Sequence, residues 1–209
     1  MKIKVCGMKY DDNILSVASL QPDYLGIIFY KGSKRYFSGD FPNLDPSIKK
    51  TGVFVNESHD EIVKTVKKYN LQAIQLHGDE TVGFCKRLKD EFNADIEIIK
   101  AFSIADEADF NDLDSYNEAC DYFLFDTKGK ERGGNGTLFN WEILNKIQHG
   151  KKYFLSGGIG PEELHMVREF LKTEAGQHCY AVDLNSKFES QPGLKNIEQL
   201  EAFFKIIKE

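Results

Sequence analysis

Short, nearly continuous apolar runs recur along the chain and alternate with segments whose apolar residues are spaced three and four apart. Continuous runs are typical of parallel strands covered on both faces, and the wider spacing is typical of amphipathic helices. Eight runs predict strands, at residues 2–7, 24–30, 51–56, 73–77, 96–102, 122–127, 153–158 and 180–185.

Four of the intervening segments have a clear helical period. In residues 59–70, for example, Ile62, Val63, Val66 and Tyr69 share one face. Residues 31–49 break the alternation, because they are rich in glycine, proline, serine and aspartate; they predict a long loop with a short helix near 45–49. The predicted helices are 59–70, 81–92, 161–172 and 196–208.

Eight strands alternating with helices over 209 residues predict an α/β protein, a (β/α)₈ TIM barrel that forms one domain over residues 1–209. The alternative is a doubly wound open sheet, which the strand count and the absence of GxGxxG after the first strand disfavour. In a barrel of this kind the active site lies at the carboxyl ends of the strands.

The composition disfavours several classes of function. A formal net charge of −6 disfavours broad binding to nucleic acid or to an anionic membrane, so an anionic ligand must be held locally. No run approaches the roughly 20 apolar residues of a membrane helix, and the lysine-flanked start does not resemble a signal peptide. Four scattered cysteines without a CxxC pair disfavour zinc and disulfides, so we expect a cytoplasmic protein.

Two ionisable residues stand where predicted strands end. Cys6 is near the end of the first strand and Asp126 near the end of the sixth. In a closed ring of eight strands these positions face each other across the mouth, with room for a small ligand between them. A buried structural thiol remains the alternative for Cys6, and it is the interpretation we prefer for Cys85, Cys120 and Cys179.

Small residues follow the last two strands. Gly157 and Gly158 come after strand seven, and Asn185 and Ser186 come after strand eight. The loops at these positions are the usual phosphate site of the fold, since small residues let backbone N–H groups approach an anion. A simple tight turn is the alternative for the two glycines.

Two further loops carry candidate binding groups. Arg35, after strand two, offers a planar fork suited to a carboxylate, although a solvated loop cation is the alternative. The glycine-rich loop at 127–137 suits either a mobile cover over the ligand or an ordinary surface loop. His77 ends strand four, where we expect a hydrogen-bonded residue rather than a catalyst.

Taken together, these segments resemble the phosphoribosylanthranilate isomerases, a family of tryptophan-pathway enzymes. The similar segments follow the family's order over nearly the whole chain. They are KVCGM, GIIFYKGSKRY, GVFVN, IQLHGDE, FLFDT with GGNGTLFNW, LSGGIGPEE and VDLNSKFESQPGLKN.

The resemblance implies an enzyme without metal or organic cofactor that acts on a phosphorylated small molecule. The exposed helix faces show no clear apolar stripe, so the sequence is compatible with a monomer or a homodimer. It implies the Amadori rearrangement of N-(5-phosphoribosyl)anthranilate to 1-(2-carboxyphenylamino)-1-deoxyribulose 5-phosphate. By resemblance, the general base is Cys6, the general acid is Asp126, Arg35 binds the anthranilate carboxylate, and Asp183 lies near the amine. The phosphate site falls on Gly157, Gly158, Asn185 and Ser186.

Three features depart from the family pattern, and one is that the first loop, GMKYDD, lacks a threonine often found there. Asn135 gives GGNG where GGTG is common, and Lys187 replaces a glycine after strand eight. A lysine adopts positive φ less readily than glycine, so the turn at Lys187 either has another shape or places a positive charge beside the phosphate. Two other functions stay open: a related sugar-phosphate isomerase, which would need an aspartate pair, and a barrel that binds a metabolite without catalysis.

The chemistry implied by the pair sets conditions on both groups. We expect burial to raise the pKa of Asp126, so that it can deliver a proton. We expect nearby positive charge or amide dipoles to lower the pKa of Cys6, so that a thiolate is available as base.

Overall fold

The structure, a computed structural model, describes residues 1–93, 95–106, 110, 112–127, 140–146 and 150–208. All eight predicted strands are present, and several end one to three residues earlier than the apolar runs. They are β1 (Lys2–Val5), β2 (Tyr24–Ile28), β3 (Lys49–Phe54), β4 (Ala73–Leu76), β5 (Glu97–Ile104), β6 (Tyr122–Thr127), β7 (Tyr153–Leu155) and β8 (Cys179–Leu184).

The eight strands form a closed parallel barrel in chain order. The ring closes between β1 and β8, where Lys4 lies opposite Asp183 and Val5 opposite Leu184. An open doubly wound sheet would leave these strands apart, so the barrel prediction is confirmed.

The strands are buried on both faces, as their continuous apolar character predicts. Ile3 and Val5 of β1 point outward into the core between strands and helices, whereas Lys4 and Cys6 point inward. Aromatic side chains fill the amino-terminal end of the interior; Tyr122 and Tyr180, for example, stack with ring centroids 4.5 Å apart. The hydroxyl of Tyr24 in this cluster donates to Glu97 at 2.9 Å, so the aromatic layer also carries a hydrogen-bonded polar group.

The predicted helices are present with recognisable caps. Ser58 and Thr81 each accept a hydrogen bond from the backbone N–H three residues later, which stabilises the helix starts. The segment at 161–172 begins as a 3₁₀ turn, Pro161–Glu163, before its α-helix. The α-helices are α1 (Asp11–Ala18), α2 (His59–Tyr69), α3 (Val82–Phe92), α4 (Leu164–Phe170), α5 (Glu174–Gln177) and α6 (Ile197–Ile207).

The segment between β2 and β3 is a loop, as predicted, but the short helix at 45–49 is wrong. Asp45 accepts hydrogen bonds from two following backbone N–H groups, Ser47 at 2.9 Å through its side chain and Ile48 at 3.0 Å through its carbonyl. This local turn competes with a helix, and β3 already begins at Lys49.

The structure adds a hairpin that the sequence pattern did not indicate. Strands β9 (Glu189–Gln191) and β10 (Leu194–Lys195) pair antiparallel after β8. The buried Asn13 side chain of α1 fixes this hairpin, since it donates to the Lys195 carbonyl at 2.9 Å and accepts from the Lys195 N–H at 2.8 Å. The hairpin thereby brings two charged residues, Glu189 and Lys195, to the barrel mouth.

Within the described ranges, no helix is long and apolar enough to cross a membrane. No group of three or more His, Cys, Asp or Glu side chains in those ranges could hold a metal ion.

Candidate active site

Cys6 lies directly after β1, with its side chain inside the barrel. Its backbone N–H donates to the Leu184 carbonyl at 2.8 Å, which fixes it against β8. Gly26 of β2 makes the space for the thiol, because a Cβ at that position would lie 2.7 Å from the Cys6 sulfur. The glycine in the second apolar run is therefore part of the site.

Asp126 lies near the end of β6, and its carboxylate is held from three sides. Its Oδ1 accepts from the Thr127 backbone N–H at 2.9 Å and from the Ser156 hydroxyl at 3.5 Å. Its Oδ2 lies 3.3 Å from Nε2 of His77. Asp126 is 6 % exposed, so it is buried near the carboxyl end of β6.

Asp183 connects the two candidate catalytic residues. It lies on β8, and its carboxylate oxygens accept from the Lys4 ammonium at 3.0 and 2.9 Å. Burial raises the pKa of Asp183, Lys4 opposes this rise, and the nearby charge of Asp126 adds to it. Asp183 also acts on the charge of Cys6, and all three acidic residues lie near the carboxyl ends of strands of the closed barrel.

The expectation that nearby positive charge lowers the pKa of Cys6 below its ordinary value is wrong. Burial raises the pKa of Cys6 above its ordinary value, although Lys4 and Lys195 both lower it. The desolvation of a thiolate inside the barrel outweighs the two cations, because Asp183 cancels part of their field. The resting residue is therefore a thiol at neutral pH.

Arg35 is not a solvated loop cation. Its side chain crosses Gly7, whose φ is +77° and where a Cβ would lie 2.6 Å from the Arg35 Cδ. Its Nε and Nη2 donate to the carboxylate of Glu189 at 2.9 and 2.7 Å. Lys195 donates to the same carboxylate at 2.6 Å and to the side-chain oxygen of Asn185 at 2.8 Å.

The candidate phosphate loops have the backbone shape that close approach requires. Gly157 and Gly158 have φ values of +88° and +69°, in the region that favours glycine. Within the described residues, neither of their N–H groups donates a hydrogen bond to the protein. Asn185 and Ser186 lie beside β1 on the adjacent loop, where the following helix is a single 3₁₀ turn, Ser186–Phe188.

The structure shows how the turn accommodates Lys187 where the family pattern has a glycine. It is not among the described residues with positive φ, so the turn forms without the backbone conformation of a glycine. Its side chain lies against Gly160, where a Cβ would be 2.8 Å from the Lys187 Cβ. Asn135 and most of the loop at 127–137 lie outside the described residues.

The sequence model for N-(5′-phosphoribosyl)anthranilate (PRA) isomerase matches residues 3–206. The chain belongs to the N-(5′-phosphoribosyl)anthranilate isomerase family. It is 40 % identical over 209 residues to the N-(5′-phosphoribosyl)anthranilate isomerase of Phocaeicola vulgatus, covering 100 % of this chain and 98 % of that protein. It is 39 % identical over 215 residues to that of Parabacteroides distasonis, covering 99 % and 93 %.

Solved structures of phosphoribosylanthranilate isomerases have the same fold. The enzyme from Thermotoga maritima superposes with a TM-score of 0.83 at 30 % identity, covering 100 % of this chain and 98 % of that one. A further structure, of the isomerase in complex with reduced 1-(o-carboxyphenylamino)-1-deoxyribulose 5-phosphate, superposes with a TM-score of 0.78 at 29 % identity, with the same coverage.

Two residues of the candidate site, Glu189 and Lys4, were not assigned from the sequence, whereas the expectation that His77 is hydrogen-bonded is confirmed. His77 contacts Asp126 and also hydrogen-bonds to Gln75 at 2.8 Å through Nδ1, so it holds the carboxylate in place. Glu189 orients Arg35, and Lys4 pairs with Asp183. Alternation along β1 places Lys4 on the same face as Cys6, which was a usable signal; the partners of His77 and Glu189 are far away in sequence.

Proposed function

We propose that Cys6 and Asp126 are the general base and general acid of this isomerase. The protein catalyses a step of tryptophan biosynthesis, the Amadori rearrangement of N-(5-phosphoribosyl)anthranilate to 1-(2-carboxyphenylamino)-1-deoxyribulose 5-phosphate. The assignment of roles is supported by the position of Cys6, directly after β1, and of Asp126, near the end of β6, at the same end of the closed barrel.

Asp126 acts first, on the closed furanose ring. Its protonated carboxyl group donates to the ring oxygen, the C1′–O4′ bond breaks, and the nitrogen lone pair forms the C1′=N bond of a protonated Schiff base. The contacts from Thr127 and His77 hold the carboxyl group for this transfer. Such positioned proton transfers contribute roughly 10²–10⁴-fold to the rate.

Cys6 acts second, as a thiolate. It removes the proton from C2′, the C–H electron pair forms the C1′=C2′ bond, and the C=N electrons return to nitrogen. The positive Schiff base makes this hydrogen acidic enough for a thiolate. The resulting enolamine then tautomerises to the ketone product.

The remaining groups hold the two ends of the substrate. The N–H groups of Gly157 and Gly158, with Asn185 and Ser186, bind the phosphate. Arg35 binds the anthranilate carboxylate through Nη1, which makes no hydrogen bond within the described part of the chain, while Glu189 holds its other edge. Asp183 accepts from the substrate amine. No other function is favoured by a specific contact.

The test is the decay of substrate fluorescence after enzymatically generated phosphoribosylanthranilate is mixed with purified protein. Cys6→Ser and Asp126→Asn should each lower kcat by roughly 10²–10⁴-fold while the fold is retained, as judged by circular dichroism. Cys179→Ser and Asp121→Asn, at the opposite end of the barrel, are the matched controls. Near-normal turnover by either site variant would remove that residue from the mechanism.

The oligomeric state and location remain predictions. The Thermotoga maritima structure of mutually generated monomers is described as derived from a dimeric isomerase; it is 28 % identical to this chain, with a TM-score of 0.78. We propose a monomer or a homodimer for this chain, in the cytoplasm. Light scattering of the purified protein distinguishes the two oligomeric states.

A further inference from the structure

Lys4 is a fully buried cation in the barrel interior, two residues before the catalytic thiol. Because side chains alternate along β1, Lys4 and Cys6 share the inner face. The ammonium group donates to both carboxylate oxygens of Asp183, at 3.0 and 2.9 Å, and its charge also acts on the Cys6 thiol. The residue is 0 % exposed, so water does not weaken these contacts.

We propose that Lys4 is a positioning residue that supports the thiolate form of Cys6, and that Asp183 limits this effect in the absence of substrate. This inference rests on the proposed role of Cys6 as general base. It assigns Lys4 to the control of that base and not to contact with the reacting atoms.

A second buried lysine has hydrogen-bond acceptors of the kind expected for a purely structural role. Lys100 of β5 donates to three backbone carbonyls, those of Leu76, Gly78 and Ala101, and to the carboxylate of Glu80 at 3.1 Å. Within the described residues, the Lys4 ammonium has no backbone acceptor. Its hydrogen-bond partner is a titratable carboxylate, that of Asp183, and its charge also acts on the Cys6 thiol.

The other cations near the thiol are paired with a carboxylate. Lys195 and Arg35 also act on Cys6, but the carboxylate of Glu189 holds both of them. Asp183 is hydrogen-bonded to Lys4, the charges of Asp126 and His77 also act on it, and it acts in turn on Cys6. Lys4 is therefore the cation that shares the inner face of β1 with the thiol, and Asp183 is its counter-charge.

Ring opening changes this balance at the step that needs the base. The protonated Schiff base gives Asp183 a second cation to neutralise, so less of the Lys4 charge is compensated at the sulfur. The thiol then loses its proton to solvent, and the thiolate takes the proton from C2′. The structure thus links formation of the base to formation of the acidic C–H group.

The experiment measures the pKa of Cys6 directly, from thiolate absorbance at 240 nm as a function of pH. The absorbance of the corresponding Cys6→Ala variant is subtracted at every pH, which removes the other thiols and the tyrosines. Opposite charges at this distance shift a pKa by roughly one to three units. Asp183→Asn should therefore lower the pKa of Cys6 by about one unit or more, since the Lys4 charge is no longer compensated.

The double variant Lys4→Met with Asp183→Asn removes the buried charge pair as a neutral pair, so no unpaired charge is left inside. It should raise the pKa of Cys6 by roughly one to three units above that of Asp183→Asn alone. The matched control, Lys100→Met with Glu80→Gln, removes the other buried pair and should leave the thiol pKa unchanged.

Equal thiol pKa values in Asp183→Asn and in the double variant would overturn the inference. A thiol pKa that shifts equally in the Lys100 and Glu80 control would do the same, since the effect would then be unspecific. These results are distinct from failure of the proposed function, which Cys6→Ser reports: full turnover by that variant removes Cys6 as base whatever its pKa.

Discussion

Gly157→Ala is the substitution whose effect the structure specifies most fully. Gly157 has a φ of +88°, a conformation that costs an L-residue roughly 1–2 kcal/mol. The added methyl group would lie 2.6 Å from the Thr127 backbone nitrogen and 3.0 Å from Oδ1 of Asp126. Forcing one methyl group into a packed site costs about 1–3 kcal/mol more.

The two costs add to a loss of about 3 kcal/mol in the free energy of unfolding, within a range of about 2–5 kcal/mol. For a chain of this length, 3 kcal/mol corresponds to a fall in Tm of about 6–12 °C. The same methyl group must displace Thr127 or the Asp126 carboxylate. A misplacement of about 1 Å at a catalytic group lowers the rate by roughly 100-fold, so kcat should fall more than stability alone explains.

The assays are thermal unfolding followed by circular dichroism, and substrate fluorescence decay at 25 °C, where the variant remains folded. Gly83→Ala is the matched control, because a Cβ in that part of α3 meets nothing within 4 Å. It should stabilise the protein by about 0.5–1 kcal/mol and leave kcat unchanged. If Gly157→Ala unfolds at the wild-type temperature with normal turnover, the close approach of this loop to Asp126 is not required.

Three further predictions concern binding and pH. Arg35→Ala should raise KM by roughly 10–100-fold with a smaller change in kcat, because it removes charge-assisted hydrogen bonds to the substrate carboxylate; an unchanged KM would refute that role. Burial raises the pKa of the Cys6 thiol, so its thiolate absorbance should develop only above the ordinary thiol pKa of about 8.5; a thiolate signal already complete at neutral pH would contradict this. Lys187→Met should raise KM about 2–5-fold at low salt and less at high salt, since an exposed charge beside the phosphate loops is screened; equal KM values at low salt would show that Lys187 does not act on the phosphate.

Much of the architecture was predictable because the strand signal is local. A strand of a closed parallel barrel is buried on both faces, so it appears in the sequence as a continuous apolar run. Residues at the ends of these runs, Cys6 and Asp126 among them, could be placed at the mouth before any coordinates were known. Competition between a local turn and a helix was harder to predict from the sequence. At Asp45 an Asx turn forms where a short helix was expected.

Charge pairing was decided only by the tertiary structure. Lys4 and Asp183 are separated by 179 residues in sequence, and Arg35 and Glu189 by 154, yet each pair forms hydrogen bonds of 3 Å or less. No local period encodes such contacts, because they depend on ring closure between β1 and β8 and on the β9–β10 hairpin.

The sequence by itself determined which residues line the barrel and at which end of each strand they lie, because alternation and burial are properties of a few neighbouring positions. The tertiary structure alone decided which of those residues meet and in which protonation state they rest. The pKa of Cys6 shows why: its direction depends on how burial, Lys4, Lys195 and Asp183 balance at one point, and that balance exists only when the barrel has closed around the thiol.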